Sequence, residues 1–355
     1  MTDKALLLGI NDYARISDLR GCKNDVATVA QLLSEVYGFP NANMRTHLNH
    51  EVTKATVRDG FQWLSEGVSA GDRLVFHFSG HGSYTESSDE DEQIDELICL
   101  YDMDIDNPDT YLLDDELGRF TEQLPVGVHL TVILDTCYSG TGTRKVVAAG
   151  RNGKAPLLIT QDTMHQLAGA AYPGVAQHRN AGDTTLLATL PVAPETSVYA
   201  RVYERPARLQ ERKQRSLVHK FGQCLSNVTR GTGINHQLLA AASDEQTAAD
   251  AFIQGDFYGA FTYYLCEAVR QLGANATATQ VMEKTKVALQ AAAFTQTPQI
   301  EGVGLDAPLF AREAVVPAVV PVVVSPVSTT VGIMQEEPAM GSALLAQMWR
   351  VSERL

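Results

Sequence analysis

Cysteine is scarce in this chain, and what there is lies scattered. The five residues Cys22, Cys99, Cys137, Cys224 and Cys266 form no CxxC pair. That spacing excludes a disulfide framework and a zinc module and fits a reducing compartment. Long apolar runs are missing too. Ala5–Ile10 is too short for a secretory leader, and the Ala/Val run near Val315–Pro326 is broken by prolines. Neither reads as a membrane span, and the expected location is cytoplasmic. There is no basic excess either. The 28 Lys and Arg face 42 Asp and Glu for a net charge of −14, which argues against a nucleic-acid partner and suits basic peptides or divalent cations. Nucleotide signatures are absent as well: Gly150-Arg-Asn-Gly153-Lys154 lacks P-loop spacing, and no GxGxxG follows the first apolar run. Ser139 stands outside any GxSxG elbow, against a serine hydrolase.

What is present is an alternation of short apolar runs and amphipathic segments. Lys4–Ile10, Arg45–Leu48, Arg73–Ser79, Glu96–Leu100 and His129–Asp135 read as strands. Asn24–Val36, Thr53–Ser65 and Asp114–Glu122 read as helices, the last opened by acids that suit a helix N-terminus. This order predicts parallel βαβ units in a doubly wound sheet. A segment of about Gly140–Gly233, rich in Gly, Pro and dispersed basic residues, reads as a long connection with little regular structure. A strand at Gln237–Ala242 and helices at Gly259–Gln271 and Thr277–Ala293 follow. The Pro/Val-rich end after about Glu313 reads as a linker and tail.

Two strands end in residues with chemistry. Arg73–Ser79 runs into Ser79-Gly-His-Gly-Ser83, and His129–Asp135 into Asp135-Thr-Cys-Tyr-Ser-Gly140. Ligands and catalytic groups gather beyond the carboxyl ends of parallel strands. Neighbouring strands would therefore place His81 beside Cys137, where an imidazole turns a thiol into a nucleophile. Cys22, Cys99, Cys224 and Cys266 lack such a setting and read as packing, and His77 reads as a hydrogen-bonded core histidine.

These residues carry a resemblance. His77-Phe-Ser-Gly-His-Gly-Ser83 and Asp135-Thr-Cys-Tyr-Ser-Gly140 resemble the histidine and cysteine motifs of metacaspases. Leu19-Arg-Gly-Cys-Lys-Asn-Asp25 resembles an early segment of the same family, and Ala241-Ala-Ser-Asp-Glu-Gln-Thr-Ala-Ala-Asp250 resembles the start of its small subunit. The four motifs stand in the family's order over about 1–140 and 235–305. Bacterial relatives, often called orthocaspases, are the nearer match, since the prodomain of many type I metacaspases has no counterpart here.

The resemblance implies an α/β, caspase-like three-layer sandwich with a mostly parallel central sheet flanked by helices. It divides the chain into a large-subunit-like catalytic region (1–143), a basic linker (144–234), a small-subunit-like region (235–312) and a tail (313–355). It implies a cysteine endopeptidase working through a Cys137–His81 dyad, a thioester intermediate, and an oxyanion hole from the amides of Gly82 and Cys137. It further implies a pocket of Asp25 and Asp135, with Ser79 nearby, for a substrate Arg or Lys, whose cation would separate two carboxylates that otherwise repel. Taken alone, Asp25 would read as a helix N-terminal charge beside an N-cap Asn24. Basic linker residues make self-cleavage an expectation, with Arg144, Lys145, Arg208, Arg212, Lys213 and Arg215 as candidates. No cofactor is required for the chemistry. Calcium is a candidate activator, held in the family by carboxylates at positions resembling Asp95, Asp114 and Asp115; the nearby Asp102-x-Asp104-x-Asp106 fails as an EF-hand, with Asn107 replacing the turn glycine and Leu113 the closing Glu. The expected state is a monomer acting on protein or peptide substrates. The rival reading is a catalytically silent, caspase-like scaffold or regulator that binds basic peptides.

Overall fold

The computed structural model describes residues 1–86, 94–137, 158–159, 198–201, 235–243 and 246–310. Strand β1 (Asp3–Gly9) is followed by α1 (Cys22–Tyr37), β2 (Met44–Leu48), α2 (Lys54–Ser65) and β3 (Arg73–Ser79). Next come β4 (Gly82–Glu86), β5 (Ile94–Cys99), β6 (Tyr111–Leu113), α3 (Asp114–Glu122) and β7 (His129–Asp135). The rest comprises β8 (Leu158–Ile159), β9 (Val198–Ala200), β10 (Asn235–Ala240), β11 (Ala249–Ile253), β12 (Asp256–Gly259), α4 (Ala260–Leu272), α5 (Ala278–Ala291) and β13 (Gln299–Gly302).

Six strands form the central sheet in the order β13-β10-β7-β3-β1-β2, all parallel except the edge strand β13. Its strands are apolar on both faces because helices cover both. On one face Leu6, Leu8, Phe76, Phe78, Leu130 and Leu134 pack with Val57, Phe61 and Leu64 of α2 and Leu117 and Phe120 of α3. On the other, Leu7, Val75, Ile133 and Leu239 meet Val26, Val29 and Leu33 of α1, Phe261 and Leu265 of α4, and Val281 of α5. This is the expected three-layer α/β sandwich. The described residues fall within one unit spanning Met1–Val315. Among them no helix is long and apolar enough to cross a membrane.

Local chemistry sets the helix ends. Thr53 caps α2 by accepting from the Thr56 N–H, and Thr277 with Gln280 makes a capping box for α5. Helix α1 stops at Gly38, whose left-handed φ of 70° lets its N–H reach the Leu33 carbonyl.

Two expectations need correction. The N-cap of α1 is Gly21, with no side-chain cap, so Asn24 is the third residue of the first turn and donates from Nδ2 to the Phe257 carbonyl instead. His77 is fully buried, but neither ring nitrogen has a hydrogen-bond partner among the described residues. Burial holds its pKa down to about 3, so the ring is neutral and packs as an apolar group. The expected connection over about 140–233, with little regular structure, is described only at 158–159 and 198–201. Its described parts include β8 and β9, which join β11 and β12 in a second sheet of order β12-β11-β9-β8. The Glu96–Leu100 strand is real as β5 but pairs with β4 and β6 in a third, antiparallel sheet.

Candidate active site

Strands β1, β3 and β7 pair with Gly9 opposite Ser79 and Ser79 opposite Asp135, so their carboxyl ends finish level. From this rim come Asp25 one turn into α1, Ser79 at the end of β3 with His81 just beyond it, and Asp135 at the end of β7 with Cys137 just beyond it. All five are buried. Gly82 lies so close to the Cys137 carbonyl oxygen that an added Cβ would stand 2.1 Å from it, which only glycine tolerates.

The imidazole of His81 is held from three sides. Its backbone N–H donates to the Tyr13 hydroxyl at 2.8 Å, and the Tyr13 ring lies against it with centroids 5.0 Å apart. Nε2 stands 2.8 Å from the Ser17 carbonyl. A carbonyl only accepts, so Nε2 carries the proton and Nδ1 keeps a lone pair. Nδ1 is buried and meets no partner at full hydrogen-bond geometry among the described residues. The sulfur of Cys137 accepts from the Ala248 N–H at 2.6 Å. Desolvation raises the thiol to about 12 and lowers the imidazole to about 4, so both groups are uncharged at neutral pH.

Sequence reasoning missed the residue that fills this site. Arg201, immediately after β9, is fully buried. Its guanidinium donates to Asp25 Oδ2 at 2.7 Å, to Asp250 Oδ1 at 3.2 Å, to Ser79 Oγ at 2.6 Å and to the Asp135 carbonyl at 3.1 Å. Asp135 Oδ1 lies 3.3 Å away as an ion pair. The Arg201 backbone carbonyl accepts from the Gly82 N–H at 3.1 Å and the Cys137 N–H at 3.3 Å. The Arg201 backbone also acts on both reactive side chains, raising the proton affinity of His81 and lowering that of Cys137.

The pocket's walls hold the acids in place. Asp25 accepts from Ser79 Oγ and the Gly259 N–H, Asp135 Oδ2 from the N–H and hydroxyl of Thr262, and Asp250 from the N–H groups of Arg20 and Gly21. Three carboxylates face one guanidinium in a fully buried space. Desolvation therefore pushes Asp25 up to about 7, Arg201 pulling against it and Asp135 adding to it. Asp250, the third acid, was visible only as the last residue of the Ala241–Asp250 motif. Thr262 and Gly259 had no signal in the sequence.

Asp114 is pushed up to about 7 by burial, with Asp115 and Asp95 adding repulsion, and its Oδ1 has no hydrogen-bond partner among the described residues. These carboxylates suit a hard cation in donor type. However, among the described residues no three His, Cys, Asp or Glu stand together as a metal-holding group. Asp115 also pairs with Arg119 at 3.6 Å. The expected self-cleavage residues Arg144, Lys145, Arg208, Arg212, Lys213 and Arg215, and Cys224, lie outside the described residues.

Residues 3–144 match a family model described as metacaspase, peptidase C14 domain. Metacaspase-1A of Aspergillus oryzae is 29% identical over 310 residues, covering 84% of this chain and 67% of that protein. Metacaspase-1 of Pyricularia oryzae is 29% identical over 306 residues, covering 84% and 70%. A crystal structure of a Geobacter sulfurreducens protein superposes with a TM-score of 0.54 at 20% identity, over 88% of this chain and 99% of that one, a likeness of fold.

Proposed function

We propose that this chain, which is similar to the metacaspases, is a caspase-like cysteine peptidase that cuts peptide bonds after Arg or Lys, itself included, using a Cys137–His81 dyad. One observation carries the specificity: a sealed pocket of Asp25, Asp135, Asp250 and Ser79 around the guanidinium of Arg201, whose backbone carbonyl rests on two backbone amides. Buried carboxylates of this number demand a cation, and the planar fork of Arg meets several at once. An acidic substrate side chain would add a fourth negative charge.

In this reading, Nδ1 of His81 takes the thiol proton and later gives it to the leaving amine. Cys137 Sγ attacks the carbonyl carbon and forms a thioester. The amides of Gly82 and Cys137 stabilise the oxyanion, at about 3 kcal/mol per donor. Water then releases the acyl group. The ground-state distances of 3.1 and 3.3 Å leave room for these bonds to tighten as charge develops. Fluorogenic peptides identical but for a final Arg, Lys or Asp test the specificity: Arg and Lys are turned over and Asp is not. Comparable turnover of the Asp peptide would remove the pocket's assigned role.

Calcium fits the same proposal as an activator held through Asp95, Asp114 and Asp115, where it would relieve the repulsion among them. The expected result is a rise in Tm with added calcium that a chelator reverses and Asp114→Asn abolishes. A Tm indifferent to calcium takes the ion out of the account.

A further inference from the structure

Resting on the reading above, we propose that Val198-Tyr199-Ala200-Arg201 is a built-in substrate lying in productive register, that Arg201–Val202 is the bond the enzyme cuts in itself, and that these four side chains report the sequence it recognises in others.

A buried arginine that merely cross-links acids would need only its side chain in the pocket. Here the backbone is engaged as well. Strand β9 lies antiparallel along β11, with Ala200 opposite Ala249, Tyr199 opposite Asp250 and Val198 opposite Ala251. The Arg201 N–H continues this ladder to the Ala248 carbonyl at 3.2 Å. An added strand is a common way for a protein to hold an extended peptide, main-chain bonds giving affinity and alternate side chains giving specificity. The ladder delivers the Arg201 carbonyl to the Gly82 and Cys137 amides, at 3.1 and 3.3 Å. Side chain, strand and carbonyl thus meet three separate requirements of a bound substrate at one residue.

The preceding side chains meet formed subsites. Tyr199 lies beside Phe257 with centroids 6.0 Å apart, and the Arg20 guanidinium covers both rings, 5.3 Å from Tyr199 and 5.1 Å from Phe257. Val198 is buried in an apolar cluster with Ala249, Ala251, Ile253, Leu289 and Phe294. Ala200 is half-buried. The recognised sequence is therefore an aliphatic residue, an aromatic one, a small one, then Arg. Arg20 sets the preference at the aromatic position through cation–π contact.

Self-cleavage begins when Cys137 gives up its hydrogen bond to Ala248. Its sulfur bonds to the Arg201 carbonyl carbon, the Arg201–Val202 C–N bond breaks, and the Val202 amine leaves with the thiol proton carried by His81. Water hydrolyses the thioester, leaving a carboxylate on Arg201 and restoring the thiol. Until then the tethered strand competes with outside substrates at the high local concentration of an intramolecular ligand.

The test uses the full chain, with intact mass and N-terminal sequencing of fragments beside turnover of a Val-Tyr-Ala-Arg coumarin peptide. Wild type is expected to yield a fragment beginning at Val202 that Cys137→Ala does not. Arg201→Gln removes that fragment, and so does Val202→Pro, which leaves the pocket's occupant in place and so guards against a folding defect. In Val202→Pro, turnover of the peptide falls roughly tenfold or more below processed wild type, because the strand still competes. Replacing Val by Asp in the peptide lowers kcat/KM about tenfold, the scale of one lost apolar side-chain contact. A wild type that turns over Arg peptides while its own 201–202 bond stays intact overturns this inference alone. A wild type that turns over no Arg peptide overturns the proposed function with it.

Discussion

Cys137→Ala and His81→Ala each abolish turnover of Arg-ending peptides, and the double variant is no worse than the poorer single. The expected loss for Cys137 is four to six orders of magnitude, roughly that seen when a nucleophile acting within a catalytic unit is removed. Non-additivity is the sharper half of this expectation. With desolvation holding the thiol near 12 and the imidazole near 4, neither is charged at neutral pH in the occupied cleft. The sulfur cannot act without a base, and the base has no other task, so removing either removes both. The tautomer decides which nitrogen is involved. Nε2 is committed to Ser17, leaving Nδ1 as the only ring atom able to accept the proton. Single variants that each cost tenfold and multiply in the double would describe two independent contributors and would dismantle the dyad. Full binding of basic peptides with no turnover in wild type would instead favour the silent regulator.

The central sheet was legible because its strands are sandwiched. Ala5–Ile10, Arg73–Ser79 and His129–Asp135 hold runs of consecutive apolar residues (Ala5–Leu8, Leu74–Phe76 and Val132–Leu134), as a strand covered on both faces requires. Helices α1, α2, α4 and α5 showed through amphipathic spacing, and the expected ends fell within about two residues. The rim residues Asp25, Ser79, His81, Asp135 and Cys137 followed from strand ends plus motifs, and the structure brings all five together. The antiparallel pieces were harder to read. Strands β9, β11 and β12 are three to five residues long and take their stability from pairing, so local pattern carries little of them. Arg201 was hidden for a related reason. It sits in a segment with Pro, Thr and other basic residues, where charge suggests solvation, and nothing local says that this one cation is fully buried. His77 misled in the opposite direction, because a buried histidine is expected to find a partner and this one has none among the described residues.

Asp25→Asn and Asp135→Asn are expected to cut kcat/KM on Arg peptides by about 30- to 1,000-fold, the range for removing one partner of a buried, hydrogen-bonded charge pair. The two should differ. Asn at 25 can still accept from Ser79 or Gly259 through its amide oxygen, whereas Asp135 Oδ2 accepts from both the N–H and the hydroxyl of Thr262 while Oδ1 faces the guanidinium. An amide at 135 must turn its NH₂ toward one of these sites, towards a donor or towards the cation, so Asp135→Asn is the more damaging. The pH dependence separates charge from shape. Asp25 is pushed up to about 7 with Arg201 seated, and Arg201 lowers it, so in an emptied pocket the carboxyl lies higher still. A substrate guanidinium binds the ionised form. The Arg peptide's KM should therefore fall as pH rises through neutrality and climb again as acid protonates Asp25. In Asp25→Asn that slope flattens, since no proton has to leave. A Gln-ending peptide serves as the neutral control: the variant narrows the gap between Arg and Gln in wild type without improving on either. An Asp25→Asn enzyme that keeps both the wild-type preference for Arg and the wild-type slope would show that this carboxylate shapes the cleft without reading the substrate's charge.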